Sequence, residues 1–251
     1  GRLSVTVAPG TGPPDVGLAP AFAAARARLG LVAALFVVAG IGWVWTAHQM
    51  RGMDAGPWTS LGSLGWFLGV WAVMMAAMMF PSIAPTVALY ARITKERSPL
   101  RPWLFACGYL LTWAAAGIVA YALSVTATKL LGDTLAWSSA GHGLAGATLT
   151  VAAIYELTPF KDVCLGKCRS PLGVLLGSWR EGSSGALRMG VKNGAWCVGC
   201  CWALMASLFA LGIMSVSWMA FIAGIIAVEK TVPGRRRVVT YATAAALLIL
   251  G

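Results

Sequence analysis

Five of the six cysteines in this 251-residue chain lie in two short segments. Their patterns are Cys164-x-x-x-Cys168 and Cys197-x-x-Cys200-Cys201. In a helix, residues three and four positions apart share a face, so the second segment predicts three sulfur atoms within one turn. The first segment has the same one-turn spacing if it is helical. Thiolates are ligands of soft metal ions, and the two segments brought together would suit Cu(I), Zn²⁺ or an iron–sulfur centre.

Four further residues are candidate metal ligands. Met205 extends the cysteine stripe by one turn. Glu156 is an ionisable residue at the end of an apolar run, where a charge usually has a partner or a function; the candidates are Lys161, a proton path and the cysteine-bound metal. His48 and His142 fall at the ends of apolar runs and predict either an outer metal site or polar groups at the membrane interface.

The cysteine pattern also has two structural explanations. Cysteine packs well as a small apolar residue between helices, and we expect this role for Cys107, which stands alone in an apolar run. A disulfide between the two segments would need an oxidising compartment. The choice between metal and disulfide therefore depends on the side of the membrane that the segments face.

Two other patterns are explained better by a structural role than by metal binding or another chemical function. Residues 74–79 contain four methionines around two alanines, and thioethers suit Cu(I). We interpret the run as packing, because methionine fills gaps between helices and the alanines allow close helix contact. The adjacent Glu229 and Lys230 follow a short apolar run, and we interpret them as a solvated ion pair.

The composition predicts an integral membrane protein. Hydrophobic residues make up 59% of the chain and charged residues 11%, with a mean hydropathy of +0.77. A soluble domain of this size could not hide so much apolar surface. The pattern predicts an all-α transmembrane bundle of about seven spans, near residues 29–47, 64–90, 103–126, 141–159, 195–214, 216–228 and from 238 onward. We divide the chain into a polar arm, residues 1–25, and one transmembrane helical domain, residues 26–251, with a structured cytoplasmic loop at 160–194.

The distribution of positive charge predicts the orientation of these spans. The net charge of +11 comes from basic residues in the connections between apolar runs. With the amino terminus in the cytoplasm, all of the 19 Lys and Arg residues except Arg51 and Lys129 face the cytoplasm, as the positive-inside rule requires. This sidedness explains the charge without a nucleic acid partner. Both cysteine segments then face the reducing cytosol, which disfavours a disulfide.

Four motifs between about Gly65 and Lys230 carry a resemblance to a known family. They are Trp71-x-x-Met74-Met75-x-x-Met78-Met79-x-Pro81, Tyr155-x-x-Thr158-Pro159-x-Lys161-x-x-Cys164-Leu165-x-x-Cys168-Arg169-x-Pro171, Trp179-Arg180-x-Gly182, and Gly194-x-x-Cys197-x-Gly199-Cys200-Cys201-Trp202-x-Leu204-Met205. In these motifs the chain resembles a bacterial family of predicted metal-binding integral membrane proteins, a domain-of-unknown-function group. The resemblance implies a polytopic fold and a bound metal ion. With the predicted spans, it places the protein in the bacterial inner membrane as a multi-pass protein.

We therefore predict a membrane protein that handles a soft metal ion through its clustered cysteines, with copper favoured and zinc possible. The alternative is a non-catalytic accessory subunit of a larger membrane complex, such as a copper-dependent membrane monooxygenase or an electron-transfer assembly. Its 12 tryptophans and many small residues would supply the helix-packing surface. The sequence has no haem-attachment motif, glycine-rich phosphate loop or nucleophile–histidine–acid set, so we expect no catalytic activity of its own. The expected partners are membrane lipid and other membrane protein subunits.

Overall fold

The computed structural model is helical throughout the part of the chain that it describes, which is residues 18–51, 62–94, 99–131, 141–177, 179–211, 215–231 and 236–250. These residues confirm the predicted all-α class. The helices are α1 (Leu18–Ala27), α2 (Leu29–Gln49), α3 (Leu64–Ile93), α4 (Arg101–Leu131), α5 (Gly141–Glu156), α6 (Pro159–Cys168), α7 (Pro171–Leu176), α8 (Gly182–Leu211), α9 (Val216–Thr231) and α10 (Arg236–Leu250).

Three of the described helices are long and apolar enough to cross a membrane, which indicates membrane association. They are Leu29–Gln49, Leu64–Ile93 and Arg101–Ala127. A shorter apolar helix covers Val238–Ile249. The remaining predicted spans do not meet the same criterion within the described residues, so the count of seven spans stays a prediction.

The segment 160–194, which the sequence predicts to be a structured cytoplasmic loop, is largely helical. It contains α6, α7 and the first part of α8, which continues without a break through Ala195, the predicted start of a span. The helix begins before the apolar run because its first three turns are rich in small and polar residues. The start of the span at Ala195 stays a prediction. At the other end of the chain, α1 begins at Leu18, within the predicted polar arm, and residues 1–17 of that arm lie outside the described part.

Glycines allow α4 and α8 to pack with their backbones in contact. A Cβ atom at Gly190 would collide with the carbonyl oxygen of Phe105, and one at Gly108 would collide with the carbonyl oxygen of Leu187. A third glycine of α8, Gly194, faces α4 in the same way. Small residues are what permits such close helix approach. The polar start of α8 is therefore fixed against α4, which sets the position of the cysteines one turn further along.

A tight turn joins α5 to α6. The N-cap of α6 is Thr158, whose hydroxyl oxygen accepts a hydrogen bond from the backbone N–H of Lys161 at 3.3 Å, and Pro159 occupies the first helical position. Both residues are favourable at a helix start. The hydroxyl of Thr158 accepts from a backbone N–H that has no partner within the helix, and Pro159 has no backbone N–H that would need one. The turn brings Glu156, at the end of α5, next to the first turn of α6.

The interior contains the four methionines of α3, all of them buried, which confirms their interpretation as core residues. The expectation for Cys107 is wrong, because this residue is exposed on α4. On a helix that can cross a membrane, an exposed small apolar side chain has no cost, since lipid is as apolar as a protein core.

Candidate metal centre

One face of α8 carries three buried cysteines whose sulfur atoms lie together. The Sγ atoms of Cys197, Cys200 and Cys201 are all within 4.8 Å of one another, and those of Cys200 and Cys201 are 3.2 Å apart. Each side chain is about 1% exposed. Among the described residues, this is the group of His, Cys, Asp and Glu side chains that is close enough to share a metal ion. Helical spacing alone produces it, because positions i, i+3 and i+4 share a face.

The α6 segment adds a fourth sulfur. The Sγ of Cys168 lies 3.6 Å from the Sγ of Cys200, and Cys168 is partly exposed. The other cysteine of α6, Cys164, is buried against the backbone of α8, where a Cβ at Gly199 would lie 2.8 Å from its sulfur. All of these cysteines are free thiols. We call the group of Cys168, Cys197, Cys200 and Cys201 the sulfur cluster.

A buried lysine from α9 contacts the sulfur cluster. The Nζ of Lys230 lies 3.0 Å from the Sγ of Cys197, 3.4 Å from the Oγ of Ser82 and 3.9 Å from the Sδ of Met79. Lys230 is 6% exposed. A buried ammonium is costly unless an opposite charge or a strong acceptor lies beside it. Lys230 therefore stabilises negative charge on the sulfur atoms, which is the form in which sulfur binds metal.

A tyrosine from α4 completes the surroundings of Cys197. The hydroxyl oxygen of Tyr109 lies 2.8 Å from the Sγ of Cys197, and Tyr109 is fully buried. A hydroxyl can donate to a thiolate, so Tyr109 and Lys230 together present two donors to the same sulfur. Cys197 is thus the sulfur of the cluster with the strongest support for a negative charge.

A second buried polar group is formed by side chains of α5, α6 and α9. The Nζ of Lys161 donates to both oxygens of Glu229, at 2.9 Å each, and to Oε2 of Glu156. Burial lowers the pKa of Lys161, but the Glu229 and Glu156 carboxylates raise it more, so its pKa lies above the ordinary value and the side chain remains an ammonium. We call Glu156, Lys161 and Glu229 the carboxylate triad.

Glu156 pairs with Lys161, one of the three candidates that the sequence offers, while its other oxygen, Oε1, has no hydrogen-bond partner among the described residues. A role of Glu156 as a metal ligand stays a prediction. The interpretation of Glu229 and Lys230 as a solvated pair is wrong. Both are buried, and each faces a different group: Glu229 contacts Lys161 and Lys230 contacts the sulfur cluster.

The remaining sequence candidates differ in what the structure describes of them. Met205 is buried on α8, one turn after Cys201. His48 is exposed in the last turn of α2 and does not belong to the group that could share an ion. His142 is in the first turn of α5, and its side chain lies outside the described part. The roles of all three as ligands stay predictions.

Sequence reasoning missed Lys230 and Tyr109. A signal for Lys230 exists, because an ionisable residue directly after an apolar run is expensive and usually has a partner. No signal marks Tyr109, since a tyrosine in an apolar helix is common and only the packing of α4 against α8 brings its hydroxyl to Cys197.

The donors of the sulfur cluster fit a soft monovalent ion. Three or four thiolates in a dry pocket suit Cu(I), which is stable with soft, low-coordinate sulfur ligands. The cation of Lys230 offsets part of the negative charge that such a complex carries. Of these four cysteines, Cys168 is the one that is partly exposed.

Comparison with known proteins agrees with this chemistry. No curated protein and no solved structure matches the chain. The model of one family, PpoB2, described as a copper chaperone, matches residues 68–251. That range covers most of the chain and contains the sulfur cluster, the carboxylate triad, Tyr109 and Lys230. The chain belongs to the PpoB2 copper chaperone family.

Proposed function

We propose that this protein is a membrane copper chaperone that holds Cu(I) in the sulfur cluster and passes it to an acceptor protein. The observation that carries the proposal is the approach of Cys168 on α6 to the three cysteines on α8, with 3.6 Å between the sulfurs of Cys168 and Cys200. Three cysteines on one helix could serve helix packing alone. A fourth sulfur from a separate helix brings together ligands that could surround an ion. Copper chaperone family membership names the same metal.

The family description favours Cu(I) over Zn²⁺, because it names copper. The sulfur ligands alone do not choose between the two ions: thiolates bind Cu(I), and four of them also make a typical structural zinc site. Lys230 lies 3.0 Å from Cys197, in the position from which it offsets negative charge without acting as a ligand. Zinc remains the competing ion in the test below.

The apolar helices support a membrane location, and the family description supports a protein partner. We place the protein in the bacterial inner membrane as a multi-pass protein with both cysteine segments toward the cytoplasm, where thiols stay reduced. A copper chaperone acts on another protein, so an acceptor is part of the function. A copper-dependent membrane enzyme, with this chain as its accessory subunit, is one acceptor that fits.

Metal titration of the purified full chain tests the proposal. In detergent under reducing and anaerobic conditions, we expect about one Cu(I) per chain, bound tightly enough to compete with a chromophoric Cu(I) chelator. The triple variant Cys197→Ser, Cys200→Ser, Cys201→Ser should lose this binding. Zn²⁺ should not displace the copper. X-ray absorption should show sulfur atoms around the ion.

The matched control is Cys107→Ser, which removes an exposed cysteine of α4 outside the cluster. It should bind Cu(I) like the natural chain, and both variants should run as a single species of the same size on a sizing column. Stoichiometric copper in the triple variant would contradict the proposal, and so would a folded natural chain that takes up no Cu(I).

A further inference from the structure

A cavity of about 500 Å³ opens beside the start of α8, apart from the sulfur cluster. Its lining contains three basic side chains and no acidic one: the residues are Leu176, Gly177, Trp179, Arg180, Arg188, Met189 and Lys192. Arg188 and Lys192 are one helical turn apart on α8, so both project to the same side. We call this cavity the basic pocket.

The walls of the basic pocket are fixed by packing. The ring of Trp179 lies 6.1 Å from that of Tyr90, which in turn stacks on Phe105 at 5.3 Å. Tyr90 and Phe105 are fully buried. The α8 wall is held by the backbone contact between α4 and α8 at Gly190, two residues from Arg188. The pocket is therefore preformed, and a ligand would not have to order it.

The charges of the basic pocket select an anion with several oxygen atoms. Guanidinium groups present planar pairs of N–H donors that match a phosphate, and an ammonium adds a compact positive charge. Three such groups around one cavity, with no carboxylate in its lining, repel cations. Copper handling does not use this surface, since all of its cysteines lie elsewhere.

The apolar rim of the pocket indicates a lipid as the source of the phosphate. Leu176, which lines the cavity, is 67% exposed. Trp179, in the same lining, is partly buried, and tryptophan is typical of the membrane interface. An acyl chain would cover the exposed leucine, which a water-soluble anion would leave bare. Basic pockets at the cytoplasmic ends of membrane helices hold anionic lipid headgroups by the same combination.

We propose that the basic pocket binds the phosphate group of an anionic membrane lipid. The lipid would join α7 and the start of α8 to the membrane surface. The proposal is independent of copper binding, because it rests on a different cavity and on different residues.

Lipid retention by the full chain tests the proposal. The protein is reconstituted with phosphatidylcholine alone or with added phosphatidylglycerol, and bound lipids are counted by native mass spectrometry. The variant is Arg188→Gln with Lys192→Gln. The matched control is Arg92→Gln with Lys167→Gln, which removes the same charge from two exposed residues outside the pocket. Cu(I) binding and the unfolding temperature in phosphatidylcholine check that both variants are folded.

The natural chain should retain phosphatidylglycerol over phosphatidylcholine. The double variant should weaken that retention about 25-fold, or about fivefold for each basic residue removed, while the control should change it little. Equal retention in the two variants would overturn the proposal. So would a thermal shift with inorganic phosphate, or with an acidic peptide, that depends on Arg188 and Lys192 while phosphatidylglycerol gives none. Those results would assign the pocket to a free anion or to an acidic protein.

Discussion

Two buried lysines of this protein lie on adjoining polar groups, and their surroundings are opposite. Lys161 contacts two carboxyl groups and is 1% exposed, so its positive charge is compensated within the carboxylate triad. Lys230 has a sulfur, a hydroxyl and a thioether around it, and no carboxylate among the contacts described. The first lysine completes an ion pair that needs nothing more. The second leaves its charge available to the sulfur cluster.

The contrast indicates that the carboxylate triad stabilises the fold, whereas the surroundings of Lys230 suit the proposed metal binding. Carboxylates in a dry interior cannot easily lose their charge partner, so the triad holds α5, α6 and α9 in fixed positions. Thiols can be neutral, so the sulfur cluster tolerates an empty state and gains charge when a metal binds. Replacing each lysine with methionine should therefore affect different properties. The change at Lys161 should lower the stability of the fold, and the change at Lys230 should lower the affinity for Cu(I).

Replacing Lys161 with methionine should destabilise the fold by about 3–5 kcal/mol, because it leaves two buried carboxylates without their shared cation. We expect a large fall in the yield of monodisperse protein and in the unfolding temperature. The double variant that adds Glu156→Gln should recover part of the loss, since it leaves one buried carboxyl group fewer without a partner. Wild-type stability of Lys161→Met would show that the triad does not hold the helices.

Replacing Cys168 with serine should weaken Cu(I) binding by about 100-fold, because it removes a sulfur that contacts Cys200. The matched change Cys164→Ser removes the sulfur that packs against Gly199 outside the cluster, and it should alter the affinity much less. Competition with a Cu(I) chelator measures both. Equal effects of the two substitutions would mean that α6 contributes packing and not a ligand.

Replacing Lys230 with methionine should leave the unfolding temperature nearly unchanged and weaken Cu(I) binding about 10- to 100-fold. The thiols can stay neutral without the cation, so no orphan charge remains in the core. The thiolate complex with copper, however, loses its compensating charge. The comparison between the lysines fails if Lys230→Met unfolds the protein as readily as Lys161→Met does.

Replacing Tyr109 with phenylalanine should have the smallest effect, a loss of about tenfold or less in Cu(I) affinity. The substitution removes one hydrogen bond to Cys197 and leaves the ring in place, and such a bond contributes about 0.5–1.5 kcal/mol. Titration under the same conditions as for Lys230→Met measures it. A loss as large as that for Lys230→Met would show that the hydroxyl, and not the ammonium, supplies the main support for the thiolate.

The parts of the site that sequence could anticipate are those set by local spacing. Cys197, Cys200 and Cys201 fall on one face because the helix repeats every 3.6 residues, and any helical reading of this segment places their sulfurs together. The helical class and the membrane association follow from composition in the same way. Which of these residues bind metal remains a prediction.

The parts that sequence could not anticipate depend on packing between distant helices. Hydropathy places the start of the last cysteine helix at Ala195, but glycines that contact α4 allow α8 to begin at Gly182. Charge spacing suggests that Glu229 and Lys230 pair with each other, yet neighbours on a helix point about 100° apart, and other helices supply their partners. Only the fold decides such long-range contacts.

The neighbouring positions of Glu229 and Lys230 also constrain the length of α9. An insertion of one residue earlier in this helix would turn both side chains by about 100°. The carboxylate would then approach the sulfur cluster, and Lys161 would lose one of its two carboxyl partners. Substitutions along the outer face of α9 keep the direction of both side chains, whereas a single-residue insertion or deletion before Glu229 should disturb the fold and the proposed metal site together.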